Sequence, residues 1–328
     1  MSYLKRLALK LPPIRRLWLR NGALLAENAE LRSTSRSSPF DHYHAVFDPI
    51  EVIRRHEVAG VEANPAYFTN FLGVKIDPKF VPSILANRAG EVEGVPIPGN
   101  WHADIAEFGA ALRAVDLSEN HFSIVELGCG WGCWLNIAGT AARNAGREVH
   151  LIGVEGDEGH IAFAREACSA NGFTPEQVTL HHGIAAATNG TALFPTQAHS
   201  GGNWGLAPIF GATEAERDAA IAAGSHDALP MIALADLVGA KTRIDLLHID
   251  IQGGEADFVA GCLGQLSERV AYIVVGTHSR SIEGKLFELM LGAGWVLEIE
   301  RPAILALTPK PEVIVDGVQG WRNPTLFR

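Results

Sequence analysis

Two blocks of this chain combine the residue types that chemistry needs. In the first, Glu126-Leu127-Gly128-Cys129-Gly130-Trp131-Gly132 sets three glycines at alternate positions behind a carboxylate. A second acid, Glu155, follows with Gly156 behind it. Alternate glycines let a backbone turn sharply and approach a ligand without side-chain obstruction. In the second block, an apolar run ends in Asp250, Gln252, Gly253, Gly254 and Glu255, and a later run ends in Gly276-Thr277-His278-Ser279. Carboxylates beside an imidazole can orient it or exchange a proton with it.

A glycine pattern alone is weak evidence, and its surroundings decide what it means. Here an apolar stretch precedes the loop, a helical pattern follows it, and Glu155 ends the next apolar stretch, where a carboxylate can accept the hydroxyls of a ribose. A nicotinamide dinucleotide calls for G-x-G-x-x-G, but the third glycine comes one residue early and Cys133 stands in its place. Glu126 at close range would repel a pyrophosphate and attract an ammonium. S-adenosylmethionine has no phosphate, but it has an amino group and a cationic sulfonium. The expectation is therefore a methyl-donor site built from Glu126, Gly128, Gly130, Gly132, Glu155 and Gly156. The weaker alternatives are a nicotinamide oxidoreductase or a tight turn with no ligand.

Polar groups at a strand tip cost desolvation unless they are bonded or face a ligand. Adjacent strands lie about 4.8 Å apart, so Asp250 and His278 on neighbouring tips could meet one reacting atom. Methylating a hydroxyl requires removal of a proton, which suits His278 as base, with a substrate-binding, metal-ligating or structural role as its alternatives, and Asp250 as its orienter, as a base or as a ligand of a divalent cation such as Mg²⁺. Gln252 and Glu255 would contact the substrate. Trp204, in Gly201-Gly202-Asn203-Trp204-Gly205, suits a sugar platform or a lid. His248 shares a strand face with Asp250 but lies deeper, as a core histidine would. The pairs Cys129/Cys133 and His181-His182 and the run His42-Tyr43-His44 lack further ligands at metal spacing and read as structural.

Strand–helix alternation from residue 122 positions these groups. The patterns predict strands at 123–127, 149–154, 178–182, 244–249, 270–275, 296–300 and 313–315. Between them lie helices up to 144 and at 157–171, 255–266 and 282–291. Residues 186–240 read as a loop-rich insertion with two helices. Such alternation forces right-handed crossovers and a mainly parallel, doubly wound α/β sheet of the Rossmann-like kind, here seven-stranded. Ligands bind beyond the carboxyl ends of its strands. Residues 39–120, helical but broken by Pro49, Pro65, Pro78, Pro82, Pro96 and Pro98, read as a cap ahead of a domain over 121–328.

The formal charge is −10, yet residues 1–36 hold eight Lys/Arg against two Glu, leaving the remainder strongly acidic. An acidic body argues against nucleic acid as partner. Within the basic segment 1–38, Leu17, Leu24 and Leu31 recur every seven residues with Asn21 and Asn28 between them. This pattern suits a helix over 14–32 that self-associates or lies on an anionic membrane surface. Four irregularly placed cysteines and the absence of a long apolar run point to a reducing cytoplasm.

The block His248-Ile249-Asp250-Ile251-Gln252-Gly253-Gly254-Glu255 resembles the fourth-strand motif of the FkbM methyltransferases, matching it at Asp250, Gly253 and Glu255. His248 and Gln252 replace a lysine and a glutamate of the commonest form. The resemblance covers roughly residues 122–300. It implies O-methylation of a hydroxyl on a sugar or a polyketide-type natural product. The reading is thus an S-adenosylmethionine-dependent O-methyltransferase acting on a sugar hydroxyl of a cell-surface glycan or its precursor. The alternatives are a small natural product as acceptor, or a non-catalytic donor-binding adaptor, which the two departures motivate.

Overall fold

The computed structural model describes residues 20, 38–199, 201–238 and 242–327. Two compact units divide the chain after His42. In the first, Ser38 starts a short turn, Pro39–Asp41, by accepting a hydrogen bond from the Phe40 amide. Apart from Arg20, the segment 14–32 with its heptad spacing lies outside the described residues.

The second unit is built on an eight-stranded sheet. Its strands are β1 His44–Ala45, β2 His121–Leu127, β3 Glu148–Glu155, β4 Val178–His182, β5 Leu246–Ile249, β6 Tyr272–Thr277, β7 Val296–Arg301 and β8 Gly317–Arg322. They lie in the order β1-β7-β8-β6-β5-β2-β3-β4. The run from β6 to β4 is parallel, whereas β8 is antiparallel to both its neighbours. The eighth strand, beyond the seven expected, is the two-residue β1 on the edge of β7.

Successive strand residues point to opposite faces, and both faces are apolar. Ile124, Leu246 and Val274 join one core cluster, and Val125, Leu247 and Val275 join the other. Helices α1 Pro49–Arg55, α2 Ile105–Leu117, α3 Cys133–Asn144 and α4 Glu158–Ala170 cover the first face. Helices α5 Glu255–Arg269 and α6 Arg280–Gly292 cover the second. Side-chain caps set several helix starts: Asp104 for α2, Asp157 for α4 and Ser279 for α6. The segment expected as a cap does more than cover the sheet. Its helix α2 is part of the core, packed so closely that a Cβ on Gly320 of β8 would sit 3.1 Å from Ala110.

Two stretches differ from the sequence reading. The insertion is not mainly loop, since Ile184–Ala186, Gly190–Pro195 and His226–Ala233 form a three-stranded sheet, joined by the helix Glu214–Ala222. Pro230 hid its middle strand, but Pro230 pairs on one side only, opposite Thr191, where its missing N–H is tolerated. At the far end, Glu312–Val315 leaves the main sheet to pair with Ile304–Ala306, and β8 takes the inner place. Two glycines and a glutamine make β8 a poor strand signal, yet close packing against α2 calls for a small residue at Gly320. Among the described residues no helix is long and apolar enough to cross a membrane.

Candidate active site

The strand order reverses between β2 and β5, which opens a crevice at their carboxyl ends. The glycine loop fills the β2 side. Gly128 and Cys129 donate their amides to the Val154 carbonyl, tying the loop to β3. Gly128, Gly130 and Gly132 all have positive φ, at 73°, 52° and 73°. A Cβ on Gly128 would lie 1.9 Å from the Asp250 carbonyl oxygen, so the glycine lets the two strand tips touch.

The expected donor residues are placed unequally. Glu155 accepts the Gly130 amide on Oε2 at 2.8 Å and the Asp157 amide on Oε1 at 2.9 Å. Each oxygen keeps further acceptor capacity for a hydroxyl. Glu126, expected to meet a ligand ammonium, is buried instead. Its carboxylate accepts the Trp134 and Leu135 amides and so caps α3 from below. Burial pushes its pKa up to about 7, against the opposing pull of His248 and those amides. Gly156 lies under the Phe194 ring, and Gly130 lies under the Trp204 ring. Both rings come from the insertion.

At the tips of β5 and β6, His278 stands between two carboxylates. Its Nδ1 is 2.8 Å from Glu255 Oε1, and its Nε2 is 3.2 Å from Asp250 Oδ1 and 3.9 Å from Asp316 Oδ2. Burial alone would lower the His278 pKa, but the bonds to Asp250 and Glu255 outweigh it and push it up to about 10. The imidazole is therefore positively charged at neutral pH. In turn, its charge holds Asp250 below the usual carboxylate range despite the desolvation that opposes this. Glu255, expected at the substrate, is fully buried at 0% exposure and cannot reach one. It also accepts the Ile251 and Gly253 amides, so it shapes the loop as well as orienting the ring. Gln252 adopts φ 58° and places Nε2 3.5 Å from Asp250 Oδ1.

Asp250, Glu255 and His278 bring ligand-type atoms within 4.8 Å of one another. Asp250 and Glu255 face opposite ring nitrogens, however. Each ring nitrogen is thus bonded to a carboxylate.

Beneath this layer His248 pairs with Glu107 of α2 at 3.1 Å and stacks on Trp134. Burial acts to lower the His248 pKa, and Glu107 more than offsets it. The Cys133 thiol lies 2.8 Å from His102 Nε2, while Cys129 packs below Gly153; both thiols are buried and pushed up in pKa by that burial. His182 bonds the Gly156 carbonyl. Glu107, His102 and Asp316 escaped the sequence reading because they sit in segments with no motif. Only the packing of α2 and the turn before β8 brings them here.

No protein-family model matches the chain. It is 47% identical over 275 residues to a protein of Jannaschia sp. (strain CCS1) named "Putative methyltransferase", an alignment spanning 84% of this chain and 98% of that one. A Streptococcus pneumoniae structure described as "a putative tRNA (m1A22) methyltransferase" aligns with 64% of this chain and 67% of its own, at 13% identity and TM-score 0.34. The ribosomal protein L11 methylase of Lactobacillus delbrueckii subsp. bulgaricus aligns over 72% of this chain and 86% of its own, at 11% identity and TM-score 0.34. The expected absence of a nucleic-acid partner does not stand on charge. Net charge describes the whole body, whereas nucleic-acid contact needs only a local surface. None of the three names a glycan.

Proposed function

The chain belongs to the methyltransferase family of its Jannaschia relative, and on that premise we propose that it methylates a hydroxyl group held at the tips of β5 and β6. The observation that carries this reading is the Glu255–His278–Asp250 array beside the glycine loop. Glu155 and the Gly128–Gly132 backbone would hold S-adenosylmethionine. When bound, the donor supplies an electrophilic methyl on a sulfonium, so the protein's share is alignment, exclusion of water and handling of the acceptor's proton.

The array suits that share in a way that differs from a free imidazole base. His278 already carries its proton at neutral pH, so it is not the group that receives another. Its charge favours oxyanion character on an acceptor oxygen close to it, and Asp250, open to solvent at 42% side-chain exposure, accepts the hydroxyl's hydrogen bond and passes the proton on to water. Glu255 fixes the ring and keeps it charged. The resemblance of the β5 block to FkbM enzymes supports a hydroxyl acceptor, with a sugar hydroxyl as the first class to test. The array does not call for a divalent cation, because both ring nitrogens of His278 are already bonded to carboxylates.

The test is release of S-adenosylhomocysteine from S-adenosylmethionine with a panel of sugars, glycan extracts, hydroxylated small molecules and tRNA. Turnover with an acceptor that gains an O-methyl group supports the reading. Methylation on nitrogen or carbon alone would overturn the hydroxyl assignment, and donor binding without turnover on any acceptor would favour the adaptor.

A further inference from the structure

One ring contact lies outside this account. Trp204 reaches from the insertion onto α4, where its indole stacks on the His160 imidazole with ring centroids 4.1 Å apart and an interplanar angle of 25°. The same indole touches the glycine loop, since a Cβ on Gly130 would be 2.6 Å from Trp204 Cζ3. The Gly130 amide is the one bonded to Glu155. A planar bicyclic ring thus sits next to the acid expected to hold a ribose.

His160 is the second observation. It is 3% exposed, and its Nε2 is buried without a hydrogen-bond partner. Leaving such a nitrogen unmet is costly, and a core histidine would ordinarily have it bonded. The indole above it offers one N–H, which does not meet this nitrogen. A purine offers the same flat face as the indole.

We propose that His160 is the adenine-stacking residue of the donor site and that Trp204 occupies the adenine's seat in the ligand-free chain. The inference rests on the methyl-donor reading above and names the part of the site that recognises the purine. Adenine would replace the indole on the imidazole face. The chain around Trp204 is suited to release it. Gly201, Gly202 and Gly205 flank it, the indole is 42% exposed, and a Cβ on Gly205 would touch nothing. An anchor keeps the segment close: the Gly201 amide donates to Asp157 Oδ1 at 2.8 Å, on the residue that caps α4. Phe194, over Gly156, closes the same side.

The test compares adenosine, S-adenosylhomocysteine and methionine binding to the full chain by calorimetry, stopped flow and tryptophan emission. Adenosine should produce an emission change that is present in the wild type and absent in Trp204→Phe. Trp204→Ala should associate with adenosine about three- to tenfold faster, the range expected from losing one aromatic stack. His160→Leu and the polar His160→Gln should both weaken adenosine binding about tenfold and leave methionine binding unchanged, with two variants guarding against a folding defect in one. If S-adenosylhomocysteine binds but adenosine gives no Trp204-dependent signal and Trp204→Ala binds no faster, the proposal is overturned and the donor reading survives. If the wild type binds no S-adenosylhomocysteine, the donor reading fails and takes the proposal with it.

Discussion

The Nδ1 atom of His278 lies 2.8 Å from a carboxylate oxygen of Glu255, which has no exposure to solvent. A carboxyl group buried this deeply needs hydrogen-bond donors. Glu255 has them in the imidazolium and in the amides of Ile251 and Gly253. The charge on His278 is therefore a property of the fold around it, and several expectations depend on it.

Stability should change in the alkaline range. The His278 pKa in the folded chain, about 10, exceeds the ordinary value of 6.5. Its contribution is fully present below 6.5 and is lost as pH rises through about 10. The thermal midpoint should fall over that window in the wild type. In Glu255→Gln the alkaline decline should be smaller and end at lower pH, because one of the bonds that raises the pKa is gone. Calorimetric scans across the window check this, and identical pH profiles for the two proteins would refute it.

Turnover should depend on the array and donor binding should not. His278→Ala and Asp250→Asn are each expected to lower the rate about 10²–10⁴-fold, the usual range for a positioned acid–base group, with donor affinity nearly unchanged. Wild-type turnover should show no step near the ordinary histidine pKa, because the ring is already charged there. A step in that range that disappears in His278→Ala would restore the free-imidazole base.

Chelation should leave the enzyme active. Both ring nitrogens of His278 are already bonded to carboxylates, so the array is satisfied without an ion. Exhaustive dialysis against EDTA followed by assay checks this. Loss of activity that Mg²⁺ restores would show that the side chains rearrange around an ion.

Donor affinity should fall when the β2 and β3 tips are altered. Gly130→Val is expected to abolish binding, since φ is 52° there and a side chain would strike the region that Trp204 now covers. Glu155→Ala should weaken binding by roughly 1.5–3 kcal/mol, the scale for lost hydrogen bonds to a charged group. Calorimetry with S-adenosylhomocysteine measures both, and unchanged affinities would move the site elsewhere.

The pair below the site should matter for folding. Glu107→Ala would leave His248, 2% exposed, without its carboxylate partner. Removing one member of a buried pair costs about 3–5 kcal/mol, and the partial exposure of Glu107 puts the expected loss at the lower end. Urea unfolding gives the value, and a change below about 1 kcal/mol would mean that the pair is only weakly coupled to stability.

Much of this protein could be read from local order along the chain. The glycine spacing after an apolar run, Glu155 at the end of the next one and the polar break at Asp250 all follow from short-range constraints. A strand buried on both faces must be apolar, and a polar residue at its tip must have a partner. These rules also placed the parallel core of the sheet. They could not show what fills the space around the tips. Glu126 looked like a ligand group because sequence does not reveal that two α3 amides reach its carboxylate. Glu255 looked like a substrate contact because the ring that covers it, His278, lies 23 positions away. The partners Glu107 and Asp316, the stack of Trp204 on His160 and the inner strand β8 depend on contacts between segments far apart in the chain. Such contacts are chosen by volume, burial and charge in three dimensions, so only the tertiary structure decided the charge of His278 and what covers the donor site.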